Sequence, residues 1–435
     1  MKNQIVKVVR KVLPSSAVKK AETTYRKSRA RLVSARYGHP ARNLRVLAIT
    51  GTNGKTTTAN YLNEILKEAG FKTALFSTAV IELDGERKIN DLNATVGSTA
   101  KMQSFFRDAK NAKVDFVIIE ATSHALDQYK LMGVPIEAAV MTNLTQDHLD
   151  YHKTMENYAA AKGKLFALEP RFIVLNRDDE WFEYFDKFRA NESKITYGES
   201  SEADAHIDKF KLYRKGAEAN LTIDHQVKME LATNLPGKYN VMNMTAAVAL
   251  SYLLGVKKED IVEGVANLEL VPGRYERIET SKPFDIVVDY AHTPDGLEKL
   301  LQSAREVTKN RVILVFGATG DRDKGKRPIM GEIAARLADR IFLTDEESYN
   351  EDPAIIREMV HKGIYEAGGD GKTTEVADRH EAIERAISSA VPGDTILITG
   401  MGHEKFRIEN GKRIPWNDGD VVREITSQSE RQPSL

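Results

Sequence analysis

The chain has 435 residues, 41% apolar and 29% charged, with 63 basic and 63 acidic side chains and no cysteine. That length exceeds one hydrophobic core and calls for two or three domains of ordinary globular composition. Disulfides and thiolate metal sites are excluded, no apolar run reaches the ~20 residues that cross a bilayer, and lysines interrupt the start where a signal peptide would be apolar. The expected location is the cytoplasm.

Charge is spread unevenly. Residues 1–45 hold thirteen Lys/Arg and one acid, Glu22, which leaves 50 bases and 62 acids for the rest. A basic arm on an acidic body has two readings. It is a helix docked on its own acidic domain, or it makes peripheral contact with anionic lipid or a phosphorylated substrate. Nucleic acid is not an expected partner, because no binding motif or interleaved aromatic platform is present.

Beyond the arm, short apolar runs alternate with helical patterns, as in parallel α/β sheets. Residues 45–49 read as a buried strand, followed by a Gly-rich turn and a helix over about 56–69 that Gly70 caps. The turn is Gly51-Thr52-Asn53-Gly54-Lys55-Thr56, a phosphate loop whose backbone N–H groups and helix N-terminus suit phosphate oxygens. Lys55 is placed to neutralise the β/γ-phosphates and the Thr56 hydroxyl to ligate Mg²⁺. Strict Walker spacing would put Gly where Ile49 stands.

Further strands are expected at 115–119, 138–141 and 172–175. Glu120 ends the first of these, where a carboxylate beside a phosphate loop holds Mg²⁺ directly or through water. Asp147, His148, Asp150 and His152 then fall within six residues. Residues 200–235 read as polar antiparallel strands, and Pro236-Gly237 breaks the chain before a helix over about 240–254. There Asn240 and Asn243 share one face, to read an adenine edge or, for Asn240, to cap the helix. A second α/β series has strands at 285–288, 311–316, 340–343 and 394–398. Asp289 ends its first strand, where a carboxylate suits ribose hydroxyls. Charged loops at 320–327 and 345–353 follow strand ends. The last eight residues read as disordered. The expected division is a basic arm (1–45), a central ATP-binding domain (46–271) and a C-terminal domain (272–435).

Together these motifs resemble the Mur ligase family, and its MurE type most. GTNGKTTT at 51–58, through Thr57, is similar to the family signature, and matches continue to about residue 425. The resemblance implies a P-loop mononucleotide-binding ATPase domain followed by a Rossmann-like α/β domain. It also implies an ADP-forming ligase that adds an amino acid to a muramyl peptide through an acyl phosphate, in peptidoglycan precursor synthesis. EATSHAL at 120–126 is similar to E-x-S-S-H-x-L, whose Glu is a magnesium ligand; the position of Glu120 matches. His148 matches the ligand of a second Mg²⁺, and Lys162, in AAAKGKLF at 159–166, matches a lysine carbamylated by CO₂. Asn240 and Asn243 match N-V-x-N adenine contacts. Arg274 matches the V-P-G-R arginine near ATP, and Asp289 and His292 lie in D-Y-A-H-T-P. GATGDRDKGKRP at 317–328 is similar to the segment near the phosphates. His403 and Glu404 lie where the family has G-K-G-H-E.

Three departures bear on the substrates. About 45 residues precede the phosphate-loop strand, too few for the domain that holds uridine diphosphate in MurE-type enzymes; either the arm and central domain bind the nucleotide differently, or the acceptor is not a UDP-sugar but a lipid-linked muramyl peptide, which a basic arm suits. The family's D-N-P-R falls on Glu346-Glu347-Ser348-Tyr349, so the guanidinium that pairs with diaminopimelate is replaced and lysine or ornithine is favoured. Met401 replaces a cation. Rival readings are a Mur-like ligase for poly-γ-glutamate, cyanophycin or folate, and a P-loop switch without ligase chemistry. A monomer is expected.

Overall fold

The computed structural model describes residues 15–90 and 97–431. Its centre is the strand Arg45–Thr50, RVLAIT, buried at every position but the first. Successive side chains enter different cores. Leu47 and Ile49 pack with Tyr61, Leu62 and Val248, from the helices Lys55–Glu68 and Lys238–Leu253. Val46 and Ala48 pack with Phe106 and Phe166, from the helices Thr99–Ala112 and Met155–Phe166. A strand buried on both faces must be apolar throughout, which is why the sequence shows a run rather than an alternation.

Arg45–Thr50 lies between Ile136–Met141 and Phe116–Glu120 in an 11-stranded sheet. The sheet is parallel from Ala205–Tyr213 through to Thr73–Phe76. Its edges are antiparallel. One is the meander Ala205–Tyr213, Gly216–Ile223, Val227–Thr233, and the other is the hairpin Val80–Leu83, Glu86–Ile89. The polar strands expected at 200–235 are therefore present and extend the ATP-loop sheet. Thr73–Phe76 was not expected, having only four residues, and neither was Ser193–Gly198, whose Ser, Lys and Thr leave no apolar run to register.

The chain passes through a bridge between Val271 and Arg274 into a six-stranded sheet. Its strands Asp285–Asp289, Thr395–Thr399, Val312–Phe316, Arg340–Leu343 and Thr373–Glu375 are parallel in that spatial order. Helices flank both faces, as the Leu300, Leu314, Met330 core and the Ile286, Ile313, Ile383 core show. The C-terminal ends of both sheets face one cleft.

Two local expectations change. The helix over 240–254 begins at Lys238 with Gly237 as its N-cap, so Asn240 is inside it and caps nothing. The helix Asp418–Arg431 runs through half of the tail read as disordered, and residues 432–435 lie outside the described residues. The described part of the arm is a helix, Ser15–Arg36, that buries Ala30 and Ser34. It meets the central domain through Arg26, whose Nη1 lies 3.3 Å from Asp127 Oδ2. The domain-docking contact is thus made; residues 1–14 lie outside the described residues.

Candidate functional site

The cleft has a volume of about 1190 Å³. Gly51 and Gly54 have φ of 149° and 85°, and the space beside them is taken. A Cβ on Gly51 would lie 1.7 Å from Thr142 Oγ1, and one on Gly54 2.2 Å from Asn243 Oδ1. Glycine is therefore required at both, by conformation and by room. Asn143 O accepts from Thr52 N and Asn143 Oδ1 from Asn53 N, each at 2.9 Å, which locks the loop onto the neighbouring strand's end.

Two lysines converge on the loop. Lys55 Nζ donates to Gly51 O and Thr52 O at 3.0 and 2.7 Å, and Lys162 Nζ donates to Gly51 O at 2.7 Å. Lys162 is 1% exposed. Burial, and then the charge of Lys55, pushes its amine well below the ordinary lysine value, with Asp147 and Asp179 opposing. Burial also lowers Lys55, against Glu120 and Asp147. The buried Glu120 carboxylate accepts from Thr78 N at 2.6 Å and from Thr78 Oγ1 at 2.9 Å. Thr56 Oγ1 lies 3.3 Å from Arg274 Nη2. Thr57 also lines the cleft.

Asp147 is the charge hub. Lys326 Nζ is 3.3 Å from its Oδ1, while His148 Nε2 and His292 Nε2 are 3.2 and 4.0 Å from its Oδ2. Burial alone would raise its pKa, but these neighbours, Lys326 first, hold the carboxyl far below its ordinary value. Burial pushes His148 down to about 3 and His292 to about 4. His148 is therefore neutral near pH 7, and its approach to Asp147 is not an ion pair there. If Nε2 donates, Nδ1 keeps the lone pair that a metal would use. His292 Nδ1 lies 2.7 Å from Tyr290 O. His124 packs on His148 with ring centroids 4.7 Å apart.

The C-terminal sheet supplies the opposite wall. Asp289 accepts from Tyr275 N at 2.6 Å and Ala291 N at 2.7 Å, and burial raises its pKa. Glu346, Glu347 and Glu404 gather nearby. Tyr290 OH donates to Glu404 Oε1 at 3.1 Å and Tyr349 OH to Glu347 Oε2 at 3.1 Å. Burial, with the charges of Glu347 and Glu346, pushes Glu404 up to about 8. Glu346 Oε1 accepts from the Thr319 hydroxyl, and its buried Oε2 has no hydrogen-bond partner among the described residues. The His403 ring, held near pKa 3 by burial, has Nε2 3.0 Å from Thr78 O. Thr78 thereby couples Glu120 on one sheet to His403 on the other. Asn53 makes a second bridge, donating to Asp295 Oδ2 at 2.7 Å and accepting from Thr293 Oγ1 at 3.2 Å.

The cleft thus collects nearly every residue singled out from the sequence. Asn240 is the exception: it is fully buried, with Nδ2 donating to Pro236 O at 2.7 Å and Oδ1 accepting from Asn243 Nδ2 at 3.3 Å. It braces the helix start, and Asn243 alone of the pair lines the cleft. Asp147 was noted only as a member of the cluster at 147–152, without a role, and Asp295, Thr78 and Tyr290 were not singled out. Asp147 had a signal in its neighbour His148, whereas Thr78 follows an unanticipated strand and had none.

The donors fit magnesium chemistry. Thr56 and Glu120 offer hard oxygens and His148 a neutral imidazole, while no group of three or more His, Asp or Glu is assembled to cage a metal among the described residues. Mg²⁺ is bound in this way, through few protein ligands with waters and phosphates completing the shell.

The model of the Mur ligase middle domain matches residues 49–251, and that of the Mur ligase glutamate ligase domain matches residues 273–402. The chain is 39% identical over 425 residues to UDP-N-acetylmuramoyl-L-alanyl-D-glutamate–2,6-diaminopimelate ligase 1 of Clostridium acetobutylicum, covering 97% of this chain and 86% of that one. A solved structure of a ligase of the same name superposes with a TM-score of 0.62 at 33% identity, covering 89% and 79% of the two chains. The ADP complex of Mycobacterium tuberculosis folylpolyglutamate synthase shares the fold, with a TM-score of 0.71 at 19% identity over 86% and 91%. With both domain models matched in order around a single phosphate-loop cleft, the chain belongs to the Mur ligase family.

Proposed function

We propose that this chain is an ADP-forming acid–amino-acid ligase that extends a muramyl peptide in peptidoglycan precursor synthesis. One observation carries the reading: a phosphate loop and a cluster of carboxylates, from two different sheets, face each other across one cleft. A carboxylate oxygen of the acceptor attacks the γ-phosphorus of ATP, the bond to the β-phosphate breaks, and ADP leaves. The amine nitrogen of the incoming amino acid then attacks the acyl carbon, phosphate departs, and the amine loses a proton. Lys55 and Arg274 offset the repulsion between acceptor carboxylate and phosphate, and the loop N–H groups orient the phosphates. Asn243 and Asp289 are placed for adenine and ribose.

Two Mg²⁺, held by Thr56 and Glu120 and by His148, would screen the same charge when bound. Lys162 is suited to carbamylation, because burial pushes its amine well below the ordinary lysine value and so favours the free-base form that adds CO₂ with loss of one N–H proton to give an anionic oxygen donor. Glu346, Glu347, Tyr349, His403 and Glu404 form the amino-acid end. Three carboxylates there suit a second ammonium group, and Tyr349 in place of a guanidinium leaves no partner for a distal carboxylate, which favours lysine or ornithine over the diaminopimelate named for the relatives. A monomer is part of this reading. No helix among the described residues is long and apolar enough to cross a membrane, and a cytoplasmic site of action is part of this reading.

The test is phosphate release from ATP with UDP-muramoyl-dipeptide, screened across amino acids. Turnover requiring both acceptor and lysine or ornithine is expected. ATP hydrolysis indifferent to both would refute ligase chemistry in favour of a switch, and turnover only with diaminopimelate would refute the amino-acid assignment.

A further inference from the structure

The arm helix Ser15–Arg36 has an inward face and an outward one. Inward, Arg26 meets Asp127 at 3.3 Å, the Lys27 ammonium lies 4.8 Å from the Tyr129 ring centroid, and Ala30 and Ser34 are buried. The one acid of the helix, Glu22, lies 3.8 Å from Arg26. Outward, Ala21, Tyr25, Ser28, Leu32 and Ala35 follow one another by four and three residues and form a single exposed stripe. Tyr25 and Leu32 are 66% and 72% exposed, and Leu32 is the most exposed large apolar side chain among the described residues. Arg29 and Arg36, four residues after Tyr25 and Leu32, flank the stripe on one side, and Arg31 flanks it on the other. All three arginines are exposed, and no acid stands on this face.

Docking on the central domain accounts for the inward face alone. A face made only to meet water carries charge at its centre, whereas here apolar side chains hold the centre and cations the margins. That is the arrangement of a helix lying in a membrane interface, with its apolar stripe in the headgroup boundary and its flanking cations on lipid phosphates. A second copy of the chain is a poor occupant, because two such faces would set arginine against arginine with no acid between them. The adjoining sequence has the same character: residues 1–14 hold seven apolar side chains besides Pro14, four cations and no acid.

We propose that the outward face of this helix, Tyr25 and Leu32 flanked by Arg29, Arg31 and Arg36, seats the protein on an anionic lipid bilayer. The helix lies along the surface without crossing it, and its inward face stays docked on the central domain. The proposal stands apart from the ligase reading and holds whatever the cleft ligates.

The test is co-sedimentation of the full chain with vesicles of phosphatidylcholine, alone and with phosphatidylglycerol added, at several salt concentrations. The wild type should bind the phosphatidylglycerol vesicles, more weakly as salt rises, and should not bind plain phosphatidylcholine. Arg29→Gln, Arg31→Gln and Arg36→Gln should each weaken that binding about fivefold, and Leu32→Gln about tenfold. Ile355→Gln and Lys362→Gln, exposed on the helix Pro353–Glu366, should change nothing. Thermal melting should match the wild type throughout, because every substituted side chain is exposed. Tyr25→Trp should add a fluorescence component that shifts to the blue with phosphatidylglycerol vesicles, beyond any change in the wild type. No binding by the wild type, or equal binding to both kinds of vesicle, would overturn the proposal. Binding that the four helix variants leave intact overturns it as well, by putting the contact elsewhere. A loss in the arginine variants without one in Leu32→Gln reduces the contact to charge alone and overturns the seating. A dimer in sedimentation equilibrium that Leu32→Gln dissociates would assign the face to a second copy instead.

Discussion

Replacing Asp147 by Asn removes one charge at the hub while keeping the side chain's shape. Asp147 and Lys326 are 6% and 3% exposed, so water cannot replace the lost partner. At their 3.3 Å separation, an effective dielectric of about 20 gives an attraction of roughly 5 kcal/mol. Relaxation around the stranded ammonium returns part of that, and breaking a buried pair costs about 3–5 kcal/mol. The two residues come from different sheets, so the loss should fall on their docking and lower the first unfolding transition in urea. A cycle with Lys326→Met separates the pair from the neighbourhood. Met strands no charge, so the double variant should be less destabilised than the sum of the singles, by about 2 kcal/mol or more. A loss below about 1 kcal/mol in Asp147→Asn, or a coupling near zero, would refute the hub.

Gly51→Ala places a methyl 1.7 Å from Thr142 Oγ1, which itself donates to Asn53 O at 2.6 Å, so ATP affinity should fall at least about tenfold; unchanged nucleotide binding in calorimetry would contradict the loop geometry. Lys162→Ala should abolish ligase turnover, by about 100-fold or more, without loss of thermal stability, since a buried amine is removed. Activity that returns with added short carboxylates would support a carbamate, and an active Lys162→Ala enzyme would rule it out. Glu404 holds an ammonium only when ionised, and its pKa is raised to about 8. KM for a cationic amino acid should therefore fall about tenfold per pH unit as pH rises toward 8, then level off. Glu404→Gln should flatten that profile, and an unchanged profile would exclude the role.

The phosphate loop was legible in the sequence because its chemistry is local: two glycines, a lysine and a threonine between a strand and a helix. The strand 45–49 was legible because burial on both faces leaves an uninterrupted apolar run. Glu120, Asp289 and the acids at 346–347 were legible as carboxylates after strand ends, where open α/β sheets bind ligands. Asn240 failed this test for a packing reason. Sharing a helix face with Asn243 says nothing about which of the two is turned into the core, and Pro236 O claims Asn240.

By itself, the sequence determined the alternation of strands and helices around the phosphate loop, the loop itself and the residue types of the reaction, since each follows from neighbours in the chain. Tertiary structure decided what required two distant segments to meet. Lys162 is an ordinary helix lysine by sequence; only its burial against Gly51 O pushes its amine well below the ordinary lysine value. Asp147 becomes a hub through Lys326, 179 residues away, and Thr78 becomes a coupler through His403, 325 residues away. Interaction free energies of this kind depend on desolvation and distance, and neither quantity exists until the two sheets close on one cleft.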